Sequence, residues 1–302
     1  MAEIFFSTAC SSYEFLGPVL AEMTGWGIRH IELSGNLKFE PDLEKKVVYW
    51  KSTQGIEFSM HHYFPPPEQE FVLNLASGDP WTKRQTFGLI RKAFALMKEA
   101  DIPLFGIHGG HNVDMRPQMQ DLHFIVDHHS LIQKDLARQI FYENLTEVMM
   151  ELGQHKGRLG IENLTPKSKM EDYSLMSTPQ EIENFLKHSL PHTQMGLLLD
   201  LGHLYVASRI FGFDAQECAS HLLMEYPHKI FELHLSDNDG SFDFHKVHGA
   251  DSWQLHFVEE FAEELKTVPI VFEWSHKTNT VGEIRQGVRA MIERFPEYVP
   301  RL

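Results

Sequence analysis

Short apolar runs recur eight times along the chain, separated by longer segments with a different spacing. The runs are rich in Ile, Phe, Val and Leu, and most are nearly continuous in apolar character. Such runs are typical of parallel strands, which are buried on both faces of a sheet. We therefore predict eight strands, with the sequences IFFSTAC, IRHIELS, IEFSMHH, IPLFGIHGG, RLGIENLT, MGLLLDLGH, KIFELHLSD and VPIVFEWSH.

The segments between these runs have the spacing of amphipathic helices. In residues 80–100 and 253–267 apolar residues return every three or four positions, which predicts a helix over each segment. Strands that alternate with helices form a parallel sheet. Eight such units predict an α/β fold, a closed TIM (β/α)₈ barrel, as a single domain over residues 1–302. The alternative is an open doubly wound sheet, but no Gly-x-Gly-x-x-Gly turn follows the first strand.

Two insertions interrupt the regular alternation. Residues 62–80 follow the third strand and contain three consecutive prolines, which impose a stiff, extended backbone. Residues 109–130 follow the fourth strand and are rich in polar residues and histidine. Both insertions would lie at the end of the barrel that carries active sites, where they could form the wall or cover of a pocket.

Composition and charge exclude several classes of protein. The chain is 42% hydrophobic and 23% charged, which is typical of a globular protein. Its formal charge of −15 and its lack of a Lys/Arg cluster oppose binding to duplex nucleic acid, which requires a basic face. No run of about 18 apolar residues predicts a membrane span, and the first residues, MAEIFFSTAC, do not resemble a signal peptide. We expect a cytoplasmic protein.

Polar side chains stand at the carboxyl ends of the predicted strands, where a buried parallel strand has no structural need for them. In a TIM barrel these positions converge on one mouth. In chain order they are Glu32, His61 with His62, His108, Glu162, Asp200 with His203, His234 and Glu273, and the segment after the seventh strand adds Asp243 and His245.

A cluster of carboxylates and imidazoles suits a divalent zinc or manganese ion, since both ions accept oxygen and nitrogen ligands. Burial of Asp200 or His203 without a partner would be strongly unfavourable. A bound ion would keep the aspartate ionised and the histidine neutral, and it would offset the repulsion among neighbouring carboxylates. Glu32 is a weaker candidate ligand, and we expect it to pair with an arginine inside the barrel.

The motifs that contain these residues resemble the xylose isomerase-like barrel superfamily. This superfamily joins sugar isomerases and epimerases with the endonuclease IV type of abasic-site endonuclease (AP endonuclease family 2). The resemblance extends over most of the chain and implies a TIM barrel with metal ions at its C-terminal mouth. The motifs are FVLNLAS, GIHGG, GIEN, LDLGH, LHLSD with a later DFH, and FEW.

The resemblance also implies roles for individual residues and one to three ions per chain. Four residues look like the metal ligands that both branches share, and in the isomerases the carboxylates on the fifth and eighth strands also shuttle the substrate proton. Two further sets are similar to those that hold additional zinc ions in the endonucleases. The shared four are Glu162, Asp200, His234 and Glu273, and the further sets are His61 with His108, and His203 with Asp243 and His245.

Three functions follow from this resemblance and the charge. The first is a metal-dependent isomerase or epimerase of a small sugar or sugar phosphate, with Glu162 or Glu273 as base, the other as acid, and His203 orienting a hydroxyl or phosphate. The second is a zinc-dependent phosphodiesterase like endonuclease IV, although acidic loops at the mouth disfavour duplex DNA. The third is a barrel that binds a sugar without converting it.

Overall fold

The protein folds as a closed barrel of eight parallel strands in the order β1, β10, β9, β8, β7, β4, β3, β2. The structure, a computed structural model, describes residues 3–120, 123–153 and 156–296. The predicted TIM barrel is therefore confirmed, and each predicted apolar run contains one barrel strand. The strands are β1 (Ile4–Ser7), β2 (His30–Leu33), β3 (Glu57–His61), β4 (Leu104–His108), β5 (Asp114–Gln120), β6 (His123–Asp127), β7 (Arg158–Glu162), β8 (Met195–Asp200), β9 (Ile230–Leu235) and β10 (Ile270–Phe272).

Parallel pairing brings the carboxyl ends of the strands to one rim. His108 pairs with Glu162 across β4 and β7, and Asp200 pairs with His234 across β8 and β9. Since all strands run in the same direction, polar residues at these ends lie next to one another. The register thus explains how residues distant in sequence meet at one site.

Helices surround the barrel, and several begin at residues suited to that position. Asp79 accepts a hydrogen bond from the backbone N–H of Thr82 at the start of α3, and Pro80 follows at the first helical position. Thr280 and Glu283 form a capping box at the start of α9. The helices are α1 (Leu16–Gly25), α2 (Leu43–Gln54), α3 (Pro80–Ala100), α4 (Lys134–Leu152), α5 (Pro179–Ser189), α6 (Leu201–Phe211), α7 (Ala215–Glu225), α8 (Trp253–Glu260) and α9 (Val281–Arg294).

The two predicted helices differ in outcome. The helix predicted over residues 80–100 is α3, with the same bounds. The helix predicted over 253–267 ends early, because α8 stops at Glu260 and the chain continues in turns. Phe261 and Leu265 still point inward: the Phe261 ring packs on Phe257, with centroids 4.7 Å apart, and Leu265 is fully buried. The apolar spacing therefore predicted correctly which residues pack inward, but it overestimated the length of the helix.

The insertion at residues 109–130 forms a hairpin rather than a loop. Strands β5 and β6 pair antiparallel, with an irregularity between Arg116 and Met119. The base of the hairpin is tied to the other insertion, since Asn74 Nδ2 and Ser77 Oγ both donate to the carboxylate of Asp114, at 3.1 and 2.9 Å. The hairpin lines a cavity at the barrel mouth, as expected for this insertion.

One hydrophobic core runs between the barrel and its helices. Trp274, Phe58, Phe105 and Phe272 are among its largest fully buried side chains. The described residues form a single barrel, and the first and last residues of the predicted domain, 1 and 302, lie outside them. Among the described helices, none combines the length and the apolar character that crossing a membrane requires.

Candidate metal centre

The structure brings all nine predicted ligands together at the barrel mouth. In each of four groups, one potential ligand atom per residue lies within 4.8 Å of the others. Three of the groups share members, and the fourth is joined to them because His203 Nδ1 lies 3.3 Å from Glu162 Oε1, so together they form one continuous cluster. They are Glu162, Asp200, His234 and Glu273; His61, His108 and Glu162; His203, Asp243 and His245; and Glu32, His61 and His234. That these residues hold ions remains a prediction.

The two carboxylate oxygens of Asp200 have different surroundings. It ends β8 and is the N-cap of α6, where its Oδ1 accepts a hydrogen bond of 2.6 Å from the backbone N–H of His203. Its Oδ2 is buried and has no hydrogen-bond partner among the described residues. Burial raises the pKa of Asp200 to about 6, although His203 opposes this rise. One oxygen thus starts the helix, and the other is free for a ligand.

Asn163 fixes the backbone of Asp200. Its side-chain Nδ2 donates to the Asp200 carbonyl at 2.9 Å, and its Oδ1 accepts from the Asp200 N–H at 2.8 Å. Sequence reasoning missed this residue, although it directly follows Glu162 in the GIEN motif. An amide side chain after a candidate ligand was the available signal, since an amide can bond both a backbone N–H and a carbonyl.

Backbone carbonyls determine which ring nitrogen two histidines present. The Nδ1 of His203 lies 2.8 Å from the carbonyl of Asn163, and the Nδ1 of His245 lies 2.9 Å from the carbonyl of Glu273. A carbonyl can only accept, so each Nδ1 carries the proton. Both Nε2 atoms therefore face Asp243 Oδ2, at 3.1 and 2.6 Å. In its neutral form each ring would offer Nε2 as a ligand.

The two candidate catalytic glutamates differ in access. Glu162 is fully buried under three imidazoles, those of His61 at 2.8 Å, His108 at 3.2 Å and His203 at 3.3 Å. Glu273 is partly exposed and lines a cavity. The Glu273 carboxylate can therefore touch a molecule in the mouth directly, whereas Glu162 is covered.

The charges of the cluster alter its protonation. Burial disfavours the charged form of His61, but Glu162, Glu32 and Glu273 outweigh burial and raise its pKa to about 9. Burial likewise opposes charge on His245, while Asp243 and Glu273 raise its pKa to about 10. Without an ion these imidazoles are cationic at neutral pH and partly balance the carboxylates around them.

Glu32 does not pair with an arginine, so that expectation is wrong. Its Oε2 lies 2.8 Å from the Nε2 of His234, deep inside the barrel. A second carboxylate, that of Glu232, lies 3.7 Å from the same nitrogen, and burial raises its pKa. Sequence reasoning missed Glu232 because it precedes the strand end and looks like an ordinary interruption of an apolar run.

The residues present fit a divalent cation. Glu162 Oε1 and Asp200 Oδ2 are buried and lack hydrogen-bond partners among the described residues. Buried carboxylate oxygens without partners are costly, and a cation satisfies them. The donor set of three carboxylates and one imidazole from Glu162, Asp200, His234 and Glu273 suits manganese or zinc.

Two cavities open from this cluster, and His108, His203, Asp243 and His245 line both. One, of about 300 Å³, we call the polar cavity, since its wall includes Ser34, Asn36, Glu273 and His276. The other, of about 420 Å³, we call the hairpin cavity, because Met115, Phe124 and Val126 of the β5–β6 hairpin form part of its wall.

The model of one protein family, described as the xylose isomerase-like TIM barrel, matches residues 20–294. The chain belongs to this family. Membership confirms the resemblance seen in the strand-end motifs. No protein of curated function matches the sequence.

Several solved barrel structures are similar to this chain over nearly its whole length. A D-tagatose 3-epimerase-like protein has 18% identity and a TM-score of 0.74, with 98% of each chain covered. D-psicose 3-epimerase from Clostridium cellulolyticum H10, in a structure with D-tagatose, has 16% identity and a TM-score of 0.70, covering 98% of this chain and 99% of the other. An L-ribulose 3-epimerase has 13% identity and a TM-score of 0.70, covering 99% and 96%. At these identities the likeness shows a shared fold.

Proposed function

We propose that the protein is a metal-dependent isomerase or epimerase of a sugar or sugar derivative. The observation that carries this proposal is the meeting of Glu162, Asp200, His234 and Glu273, which stand in or directly after the carboxyl ends of four different strands. The epimerase names of the similar structures support the same reaction class. The ion would be manganese or zinc.

A divalent ion bound by these four residues would polarise adjacent oxygens of a hydroxyketone and so acidify the C–H between them. Glu273 lines the polar cavity, so it would be the carboxylate that takes or returns that proton. Glu162 would be the second acid or base, on the opposite side of the substrate. The proton would reach it through the imidazoles of His61 and His108, which cover it. His203 would orient a hydroxyl through its Nε2.

Proton exchange with heavy water tests this reaction. We expect the manganese-loaded protein to exchange a C–H proton next to the carbonyl in at least one of a panel of ketoses, ketose phosphates and glycosides of keto sugars, as followed by NMR. Glu273→Gln should lower the exchange rate at least a hundredfold, because general base catalysis contributes about 10²–10⁴-fold. Glu293→Gln, a change at an exposed glutamate, is the matched control. Absence of exchange across the panel would contradict the proposal.

The two additional ligand groups favour a second candidate, a phosphodiesterase with up to three zinc ions. His61 and His108 flank Glu162, and His203, Asp243 and His245 form a compact group beside it. Clustered ions of this kind activate hydroxide and neutralise a phosphate during displacement. Duplex DNA remains an unexpected substrate because of the formal charge of −15.

Removal of ligands that lie outside the shared four distinguishes the candidates. His108→Asn keeps Glu162, Asp200, His234 and Glu273 intact, so an isomerase would keep its single ion and most of its C–H exchange. A multi-ion hydrolase would lose zinc by elemental analysis and lose hydrolysis of bis(4-nitrophenyl) phosphate. Nicking of an abasic-site duplex at low salt by the wild-type protein, but not by Glu162→Gln, would establish the endonuclease instead.

A further inference from the structure

The two cavities share part of their walls, including Phe124 and Lys277, but their remaining lining residues differ. On one side, Ser34 and Asn36 line the polar cavity, and the buried Thr8 holds Asn36 in place: Thr8 Oγ1 donates to Asn36 Oδ1 at 2.8 Å, and Asn36 Nδ2 donates to the Thr8 carbonyl at 2.9 Å. Ser34 joins these contacts through its Oγ, 3.1 Å from Thr8 Oγ1. Such groups are suited to the hydroxyls of a sugar.

On the other side, apolar side chains form much of the wall of the hairpin cavity. The hairpin contributes Met115, Phe124 and Val126, the loop after β9 contributes Phe242 and Phe244, and the barrel contributes Leu164. A cavity of about 420 Å³ lies in the range of roughly 300–1,000 Å³ that takes drug-sized ligands. A monosaccharide is smaller than such ligands and would leave much of this space unfilled.

The hairpin presents its apolar side chains in a regular pattern. Met115 pairs directly with Val126 across the two strands, and both line the cavity. Arg116 pairs with Ile125, and neither lines it. Because side chains alternate between the two faces of a strand, one face of the hairpin covers the cavity and the other faces away.

The wall of the hairpin cavity carries two ammonium and two carboxylate groups among its described residues, so these groups balance in number. The ammonium groups among the described lining residues belong to Lys167 and Lys277. Lys167 Nζ is already 3.1 Å from Glu171, and Asp243 and Glu171 add negative charge to the same wall. An uncharged apolar group would need no counter-charge on this wall and would bury surface against the hairpin.

We propose that the hairpin cavity binds an apolar substituent, such as the aglycone of a glycoside, on a substrate whose sugar part lies in the polar cavity. This inference rests on the proposed function, because the ion centre between the cavities defines where the sugar sits. The protein would then act on a sugar derivative rather than on a free monosaccharide.

Two hydroxamates test the cavity without knowledge of the sugar. Acetohydroxamate carries only a metal-chelating head, and 4-phenylbutyrohydroxamate adds an apolar tail to the same head. In calorimetric titrations of the manganese-loaded protein, we expect the phenyl compound to bind about tenfold to a hundredfold more tightly, as burial of an aromatic group predicts.

Hairpin variants locate the tail. Val126→Ser should reduce the affinity ratio of the two hydroxamates about threefold to tenfold, whereas Ile125→Ser, on the opposite face, should leave it unchanged. Acetohydroxamate affinity checks that each variant is folded and loaded. Equal binding of both compounds by the wild-type protein, or a ratio unaffected by Val126→Ser, would overturn the inference. Failure of both compounds to bind would instead contradict the ion centre of the proposed function.

Discussion

At the residue scale, several neighbouring groups together hold each candidate ligand in position. Asp200 was predicted from its place at the end of an apolar run, and the structure shows how its burial is tolerated: one oxygen caps α6 and the other faces the cluster. Asn163 was not predicted, because its role depends on the pairing of β7 with β8, which brings residues 37 positions apart together. Strand-end chemistry can thus be predicted from sequence more readily than the cross-strand contacts that support it.

Removal of the Asn163 side chain tests that support. Asn163→Ala removes the acceptor that Asn163 gives to the buried Asp200 N–H and one donor to the Asp200 carbonyl, and we expect the free energy of unfolding to fall by about 1 to 3 kcal/mol. Asn184→Ala, at an exposed site on α5, should change it by less than about 0.5 kcal/mol. Urea unfolding with equal m-values measures both, and similar values for the two variants would show that Asn163 does not hold Asp200.

Protonation of the cluster predicts a pH dependence of metal binding. The pKa values of His61 and His245 are raised to about 9 and about 10, so both imidazoles carry protons at pH 7.5 in the metal-free protein. An ion requires neutral ligands, so binding at these residues must release protons, and affinity should rise with pH up to about 9 to 10.

Calorimetry in buffers with different ionisation enthalpies measures this release. If ions bind at both histidines, at least two protons should leave per chain at pH 7.5. His245→Asn should lower the number by about one, while a change at an exposed histidine, His256→Asn, should not. Metal binding without proton release would show that the ions bind away from His61 and His245.

At the element scale, the barrel strands were predictable because burial on both faces leaves a continuous apolar signal in the sequence. The β5–β6 hairpin was not predicted, because Pro117 and several polar residues interrupt the alternation that identifies a half-buried strand. Helix α8 was overpredicted since Phe261 and Leu265 keep helical spacing while packing from turns. Apolar spacing therefore predicts which residues are buried better than where an element ends.

The candidate site depends most on the position of the first turn of α6. A Cβ on Gly202 would lie 2.5 Å from Ser236 Oγ and 3.0 Å from the Ser236 carbonyl, so α6 approaches the end of β9 only because this residue is glycine. Gly202→Ala should displace the cap at Asp200 and weaken manganese binding at least tenfold, as measured by calorimetry.

Gly88→Ala is the matched control for that substitution. Gly88 lies within α3 with no atom within 4 Å of the added Cβ, so we expect unchanged metal affinity and a gain in stability of up to about 1 kcal/mol. Equal metal affinity in Gly202→Ala and the wild-type protein would show that the α6 terminus does not position the ligands.

At the scale of the whole molecule, the family and the barrel were predicted from the sequence, whereas the two cavities at the mouth were not. The polar and hairpin cavities are formed by segments from β1 to β10 and by the hairpin, so their shapes depend on the closed barrel. The same closure packs carboxylates and imidazoles of many strands together, which makes ion binding and global stability interdependent.

Metal removal should therefore destabilise the entire barrel. We expect manganese at 100 times its dissociation constant to add about 2.7 kcal/mol to the free energy of unfolding and to raise the melting temperature, and EDTA to reverse this. Asp200→Asn should abolish most of the metal-dependent shift, and Asp251→Asn, at an exposed position, should retain it. A melting temperature indifferent to manganese and EDTA would contradict this linkage.

The proposed function requires that side chains at the carboxyl ends of four strands meet around one divalent ion. Anomalous diffraction from manganese-soaked crystals, recorded on both sides of the manganese absorption edge, tests it most directly. We expect an anomalous peak enclosed by Glu162, Asp200, His234 and Glu273. A manganese-replete crystal with no peak among these four residues, or with their side chains directed to separate places, would contradict it.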